Sequence, residues 1–230
     1  MNKKILLACL ATVAISAAQA AEITFLNPQF DVTTIATTTD GPASFDSQTS
    51  PPSATPIFAS SDSVGATDVA TAGAIGGPGL LSTSADATAV TGIATSVALA
   101  HFAGSFVLPA AQPFVVVDFT PLTFEVGSSN AATTLFIRLV TGATTVFADF
   151  VSGSWAWGVT PGATYLLDLT LGSEANAGFA PAGTGNAFAS GSVTITSAVP
   201  LPAAWILFLV GLGPVAFIRR RLTRGMAAAS

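Results

Sequence analysis

Cysteine, histidine and positive charge are nearly missing from this chain. Its one cysteine is Cys9 and its one histidine is His101. With no cysteine beyond Cys9, disulfides cannot staple the rest of the chain, and a zinc site built from nitrogen or sulfur ligands is excluded. A serine–histidine–acid site would have to use His101, yet no G-x-S-x-G turn accompanies it. His101 shares the parity of Val97 and Leu99, which reads as a strand-end residue of a sheet. Of the seven basic residues, Lys3, Lys4, Arg219, Arg220, Arg221 and Arg224 lie in the terminal segments. Between Ala21 and Ala198 all twelve acidic residues face Arg138 alone, a net charge of −11. Such a field opposes nucleic acid and anionic lipid and favours solubility.

What is present at the start is a leader. Lys3 and Lys4 form a positive n-region, Ile5 to Ile15 an apolar run, and Ala18-Gln19-Ala20 a small-x-small site. Residues 1–20 therefore read as a secretory signal peptide, removed between Ala20 and Ala21. Leu6-Leu7-Ala8-Cys9 half resembles a lipobox, but cleavage there would leave only eight residues ahead of it, too few for the apolar run.

The other end carries the longest uncharged stretch. From Ala203 to Ile218 there is no charge, and Trp205 to Val210 is apolar throughout. As a helix those sixteen residues rise about 24 Å, short of a hydrocarbon core of ~30 Å, so spanning needs help from Leu201, Pro202 and arginines that reach the headgroups. Arg219, Arg220, Arg221 and Arg224 form a basic stop on the cytoplasmic flank. A single transmembrane helix with the preceding body outside is the expectation.

Val199-Pro200-Leu201-Pro202-Ala203, then the apolar segment with Gly211 and Gly213, then Arg219-Arg220-Arg221, resembles the VPLPA variant of the PEP-CTERM protein-sorting domain. The resemblance covers about the last thirty residues, and the extension Leu222 to Ser230 is longer than such tails usually carry. It implies export by the Sec machinery, transient anchoring in the inner membrane of a Gram-negative bacterium, and processing by an exosortase, an integral-membrane cysteine protease or transpeptidase. It also implies a cell-surface or matrix destination alongside exopolysaccharide. The stretch Val159 to Leu171, with Ser192 to Thr196, is similar to the closing half of many ectodomains bearing these tails.

The body, residues 21–198, is long enough for one packed domain and shows strand periodicity without an amphipathic helix. Ile93, Thr95, Val97 and Leu99 alternate with Ala94, Ser96, Ala98 and Ala100, a strand with one larger and one smaller face. Thr133 to Val140 and Thr144 to Val151 flank Thr141-Gly142-Ala143 as a hairpin. Gly76 to Gly79 and Thr160-Pro161-Gly162 mark turns. Residues 40–61 read as a Pro/Ser/Thr-rich loop, Ser63 to Ala74 gives no assignment, and Gly172 to Asn186 reads as a Gly-rich loop. A parity change at Thr120-Pro121 suggests a bulge or kink between two strands. About ten short strands joined by Gly/Pro turns imply an all-β, two-sheet antiparallel β-sandwich, jelly-roll-like or immunoglobulin-like.

Little chemistry is visible in that body. Glu125 and Glu174 are carboxylates available for glycoside hydrolysis, with nothing beyond availability to support them. No metal ligand set or cofactor is assigned. Ca2+ is the one cation the acidic loops suit, although no D-x-D-x-D-G loop occurs. Trp155 and Trp157, two apart, face one side of a strand. They either fill the core, which is favoured, or form a shelf on which sugar rings stack. The expectation is a non-enzymatic exported protein of the surface or biofilm matrix; the alternatives are a carbohydrate-binding adhesin and, third, a secreted glycan hydrolase.

Overall fold

The computed structural model describes residues 20–49, 55–151, 153–178 and 184–198, which form thirteen strands and no helix. These are β1 (Ala20–Glu22), β2 (Leu26–Thr38), β3 (Ser44–Thr49), β4 (Ile57–Val64), β5 (Val69–Gly77), β6 (Leu80–Ala89), β7 (Ala94–Val107), β8 (Phe114–Gly127), β9 (Ser129–Thr141), β10 (Thr144–Val151), β11 (Ser154–Gly158), β12 (Thr164–Ala177) and β13 (Gly185–Ala198). Ala21–Ser197 is one compact unit; the second, Met1–Ala20 with Ala198–Ser230, falls almost wholly outside the described residues. So do the expected leader as far as residue 19, the motif at 199–203, the span at 203–218 and the arginine cluster. Among the described residues no helix is long and apolar enough to cross a membrane.

The strands build two antiparallel sheets. One has the order β11-β8-β13-β6-β5-β4, with β1 beside β13; the other runs β10-β9-β12-β7-β2-β3. From β6 onward the pairing is nested: β6 with β13, β7 with β12, β8 with β11 and β9 with β10. A long hairpin rolled across two sheets has this order, that of a jelly roll. Chain of this composition takes strands because its many alanines alternate with Thr, Ser and Val rather than with the Glu, Lys and Arg that sustain helices.

The inner faces are graded in size. Going along β12, the buried positions are Tyr165, Leu167, Leu169, Leu171, Ser173, Ala175 and Ala177; along β2 they are Phe30, Val32, Thr34 and Ala36. β6 passes from Leu81 through Thr83 to Ala85, Ala87 and Ala89, and β7 runs the same gradient in reverse, from Ala94 to Phe106. At the bulky end Phe102 packs edge-on to Phe25, with ring centroids 4.7 Å apart, and Phe106 stacks on Tyr165. The thin end is a cluster of alanines alone. Where the gradient crosses over, hydroxyls bridge the sheets directly: Thr34 Oγ1 to Ser61 Oγ at 2.7 Å and Thr83 Oγ1 to Ser173 Oγ at 2.7 Å. A hydroxyl reaches one bond beyond Cβ, so the sheets there lie closer than the ~10 Å of ordinary face-to-face packing.

Several expectations change. β3 and β4 occupy much of the segment expected to be a loop at 40–61, and β4 and β5 cover Ser63 to Ala74. β12 runs into the expected Gly172–Asn186 loop as far as Ala177, and β13 begins within it at Gly185. β8 runs through Pro121 without changing parity. Val115, Val117 and Phe119 are buried, and the odd-numbered Glu125 still turns toward the other sheet, where its Oε1 accepts the Ala131 N–H. The Thr141–Ala143 hairpin forms as expected, with Gly142 at φ +57°.

A graded core predicts opposite tolerances at its two ends. Leu169→Ala should cost about 2–5 kcal/mol through the cavity it leaves. Ala175→Leu, six residues further along the same face, should also destabilise, by about 1–3 kcal/mol or more, because the sheets cannot part locally. Urea unfolding midpoints check both; an unchanged midpoint for Ala175→Leu would mean the thin end has room.

Candidate functional site

Two outer sheet faces and one loop cluster hold nearly all the polar side chains that could do chemistry. On the six-stranded sheet, Asp31 of β2, His101 of β7 and Thr170 of β12 share one cross-strand row, and Asp168 stands one outward position along β12. Asp31 Oδ2 lies 3.2 Å from His101 Nδ1, and Asp168 Oδ1 lies 2.9 Å from Nε2. Arg138 of β9 is the register partner of Asp168. With an acceptor at each ring nitrogen the doubly protonated imidazolium is favoured. The Asp168 hydrogen bond does most to raise the His101 pKa above its ordinary value; partial burial opposes it and Asp31 adds to the rise. Both nitrogens being occupied, the ring is not placed to take a proton from a nucleophile, and it sits in mid-strand rather than at a strand end.

The loop cluster is tied by two carboxylates. Asp40 Oδ2 accepts the N–H groups of Ala66 and Thr67, joining the β2–β3 and β4–β5 loops. Asp68 Oδ1 accepts the N–H groups of Val90, Thr91 and Gly92 and the Thr67 hydroxyl. The Val90 hydrogen bond leads in holding its carboxyl below the usual aspartate value, against desolvation by the loop that covers it. Asp68 Oδ2 is buried without a partner and faces Gly92, where a Cβ would collide with it. One carboxylate makes no ion site, and among the described residues no group of three or more His, Cys, Asp or Glu could hold a metal.

The outer face of the seven-stranded sheet is flat and hydroxyl-rich. The register places Asp62 (β4), Thr71 (β5), Asp86 (β6) and Phe188 (β13) in one row. Ser60, Gly73, Ser84 and Ser190 form the next. Burial raises the Asp86 pKa, and Phe188 is half-buried beside it. Sequence reasoning did not find this row, since it exists only once four strands are in register; alternation around Asp86 and Phe188 was its one sequence trace.

Of the expected site residues, Trp155 and Trp157 lie on β11 opposite Val117 and Val115, with which they share the inner face. Both are half-buried against the main core, and Trp157 stacks on Phe147 of the other sheet at 5.1 Å. That is the favoured core placement; an outward shelf is not formed. Trp157 Nε1 is buried without a hydrogen-bond partner. Glu125 binds the Ala131 N–H at one open side of the sandwich, and Glu174 on the six-stranded sheet accepts from Asn176 Nδ2 at 2.6 Å. Ala20 and Ala21, flanking the expected leader cleavage, begin β1; Ala18 lies outside the described residues.

No family model and no curated protein matches the chain. Among solved structures it is similar to TmCBM61 in complex with β-1,4-galactotriose, at 6% identity and a TM-score of 0.24, covering 60% of this chain and 86% of that one. It is also similar to a structure of the infectious bursal disease virus Gx strain, at 10% identity and a TM-score of 0.13, covering 82% and 67%. Likeness at these scores is too slight to carry an argument.

The His101 cluster makes stability depend on pH. A raised folded-state pKa means the contribution is fully present below the unfolded value of about 6.5 and is lost as pH rises through the folded value. Melting temperature should therefore fall across that window on going alkaline, and His101→Gln should remove this step while leaving the rest of the profile. A wild-type profile that rises or stays flat there would contradict the clamp.

Proposed function

We propose that this is a non-enzymatic, exported protein of the cell surface or extracellular matrix, delivered by the Sec machinery and held by its C-terminal span until an exosortase processes the tail. Supporting this reading are the VPLPA motif with its basic stop and the compact unit Ala21–Ser197, whose limits fall near the two expected processing points. In the matrix it works by contact with polysaccharide rather than by turnover.

The observation that favours polysaccharide contact is the Asp62–Thr71–Asp86–Phe188 row. A half-buried phenyl ring offers a face to the C–H side of a sugar. The neighbouring carboxylates and hydroxyls offer acceptors to its O–H groups. An outer sheet face suits a polymer laid along it, and an uncharged or cation-bridged one best, since the body is strongly acidic.

Two measurements test this. Mass spectrometry of the protein from the producing cells should give a product beginning at Ala21 and ending near 199–203, lost when the processing enzyme is deleted; a product retaining the tail in both strains would reduce it to a tail-anchored protein. In affinity electrophoresis through the producer's own exopolysaccharide, Phe188→Ala should weaken retardation by about 1 kcal/mol, roughly fivefold, and Asp86→Asn should weaken it further. Retardation untouched by both substitutions, with unchanged melting, would remove the sheet face as the site.

A further inference from the structure

Among the described residues the open sides of the sandwich are tied at several levels. Beside β3 and β4, Asp46 Oδ2 accepts the Ser60 N–H and links the two edge strands. Beside β10 and β11, Trp157 stacks on Phe147. The chain then crosses between sheets at the level of Phe119, whose N–H donates to Gly153 O. β11 pairs with β8 only over Phe114–Asp118, and β10 pairs with β9 only from Leu135 onward. Past that level the β9 edge is capped by Glu125 on the Ala131 N–H. The β8 edge, Thr120 to Gly127, has no strand beside it among the described residues on the side away from β13. All eight residues are exposed, with Leu122 at 59%, Phe124 at 54% and Val126 at 53%.

An unpaired strand edge presents main-chain N–H and C=O groups that only another extended chain matches fully. Lysine, the usual guard of such an edge, is absent from the body, and its one carboxylate here is already turned inward to Ala131. Near the ends of the segment Pro121 lacks an N–H, and Ser129 Oγ accepts the Val126 N–H and donates to the Val126 C=O, so the main chain is open chiefly between Leu122 and Glu125. The segment is also self-complementary. In an antiparallel pairing centred on Phe124, Phe124 meets its own copy, Leu122 meets Val126, and Thr123 meets Glu125. No like charges oppose each other in that register, whereas a pairing centred on Glu125 would set carboxylate against carboxylate. We propose that Thr120–Gly127 of β8 pairs antiparallel with the same segment of a second copy, joining two seven-stranded sheets across a two-fold axis. This rests on the edge geometry and does not depend on polysaccharide binding.

The test uses the full chain isolated from producing cells in mild detergent. Sedimentation should give twice the chain mass for the wild type and the single mass for Phe124→Lys, which sets like charges across the axis; the variant should melt as the wild type does when diluted to monomer. In a Cys9→Ala background, Phe124→Cys should form an intermolecular disulfide on mild oxidation, and Phe58→Cys on the β4 edge should not. The cysteine result decides should Phe124→Lys fail to fold. A monomeric wild type, a Phe124→Lys dimer, equal cross-linking at both positions, or cross-linking to a different protein would each overturn the pairing.

Discussion

The approach of the two sheets along their alanine-lined half is the constraint from which the rest follows. Direct hydroxyl contacts at Thr34–Ser61 and Thr83–Ser173 fix how near the backbones come. Beyond them only Ala, Gly and Ser fit inward, so the large members of those strands are displaced to the outside: Leu99 and Ile35 are both exposed. Burying an alanine contributes about one methyl's worth, ~0.8 kcal/mol, against ~1.5–3 kcal/mol for a Leu or Phe. Hydrophobic stabilisation is thus concentrated among Phe102, Phe106, Leu167 and Leu169, while the thin end relies on close backbone approach and hydroxyl pairs. A chain without disulfides can hold a sandwich in this way because its bulky end is densely aromatic.

Acidic side chains do the tying that lysines or disulfides do elsewhere. With Arg138 as the one basic group in the body, ion pairs are scarce, and the carboxylates turn to backbone N–H groups: Asp40 and Asp68 in the loops, Asp46 and Glu125 at the edges. Charge-assisted hydrogen bonds of this kind are about twice as strong as neutral ones. They also settle why dispersed acids build no metal site among the described residues: several of the oxygens that might gather round a cation already accept N–H groups. His101 is the exception, a ring held between two carboxylates that favour its protonated form.

The all-β class, the Thr141–Ala143 hairpin and the turns at Gly76–Gly79 and Thr160–Gly162 were legible in the sequence because Gly and alternating β-branched residues act locally. Strands rich in Ser, Ala and Gly were not. Residues such as Ser60, Ser61 and Gly73 carry no size contrast between faces, so β3, most of β4 and the ends of β12 and β13 looked like loop, and most of β5 gave no assignment. The β7 alternation was visible, but size alone would turn its larger face inward, and the thin core reverses that. The parity change at Thr120-Pro121 suggested a bulge or kink between two strands; β8 instead runs on through Pro121, whose missing N–H suits the edge it occupies there. The rows on the two outer faces depend on register between strands up to about a hundred residues apart, as with Thr88 and Asn186, which no local pattern encodes. Histidine parity put His101 on the face of Val97 and Leu99 without saying which way that face turns, and its partners Asp31 and Asp168 became visible only through pairing.

The two surface features bear on each other through geometry. A sheet face of short polar side chains with separated aromatic rings, Phe188 and the exposed Phe58 of β4, holds any single sugar weakly, since most of its groups are wet before and after contact. Affinity for a polymer then comes from repetition, because a second contact made within the same assembly is far more probable than one made from solution. β8 lies in the same sheet as the Asp62–Thr71–Asp86–Phe188 row, separated from Phe188 by no intervening strand. Pairing two β8 edges would therefore bring two Phe188 rings onto one continuous face, three strand spacings apart with β8 and its copy between the two β13 strands. The sheet twist would turn one row relative to the other, so a flexible polymer could engage both where a rigid one could not. Weak single sites and an open edge are thus consistent parts of one arrangement, in which binding strength is set by how many copies a strand of matrix can reach.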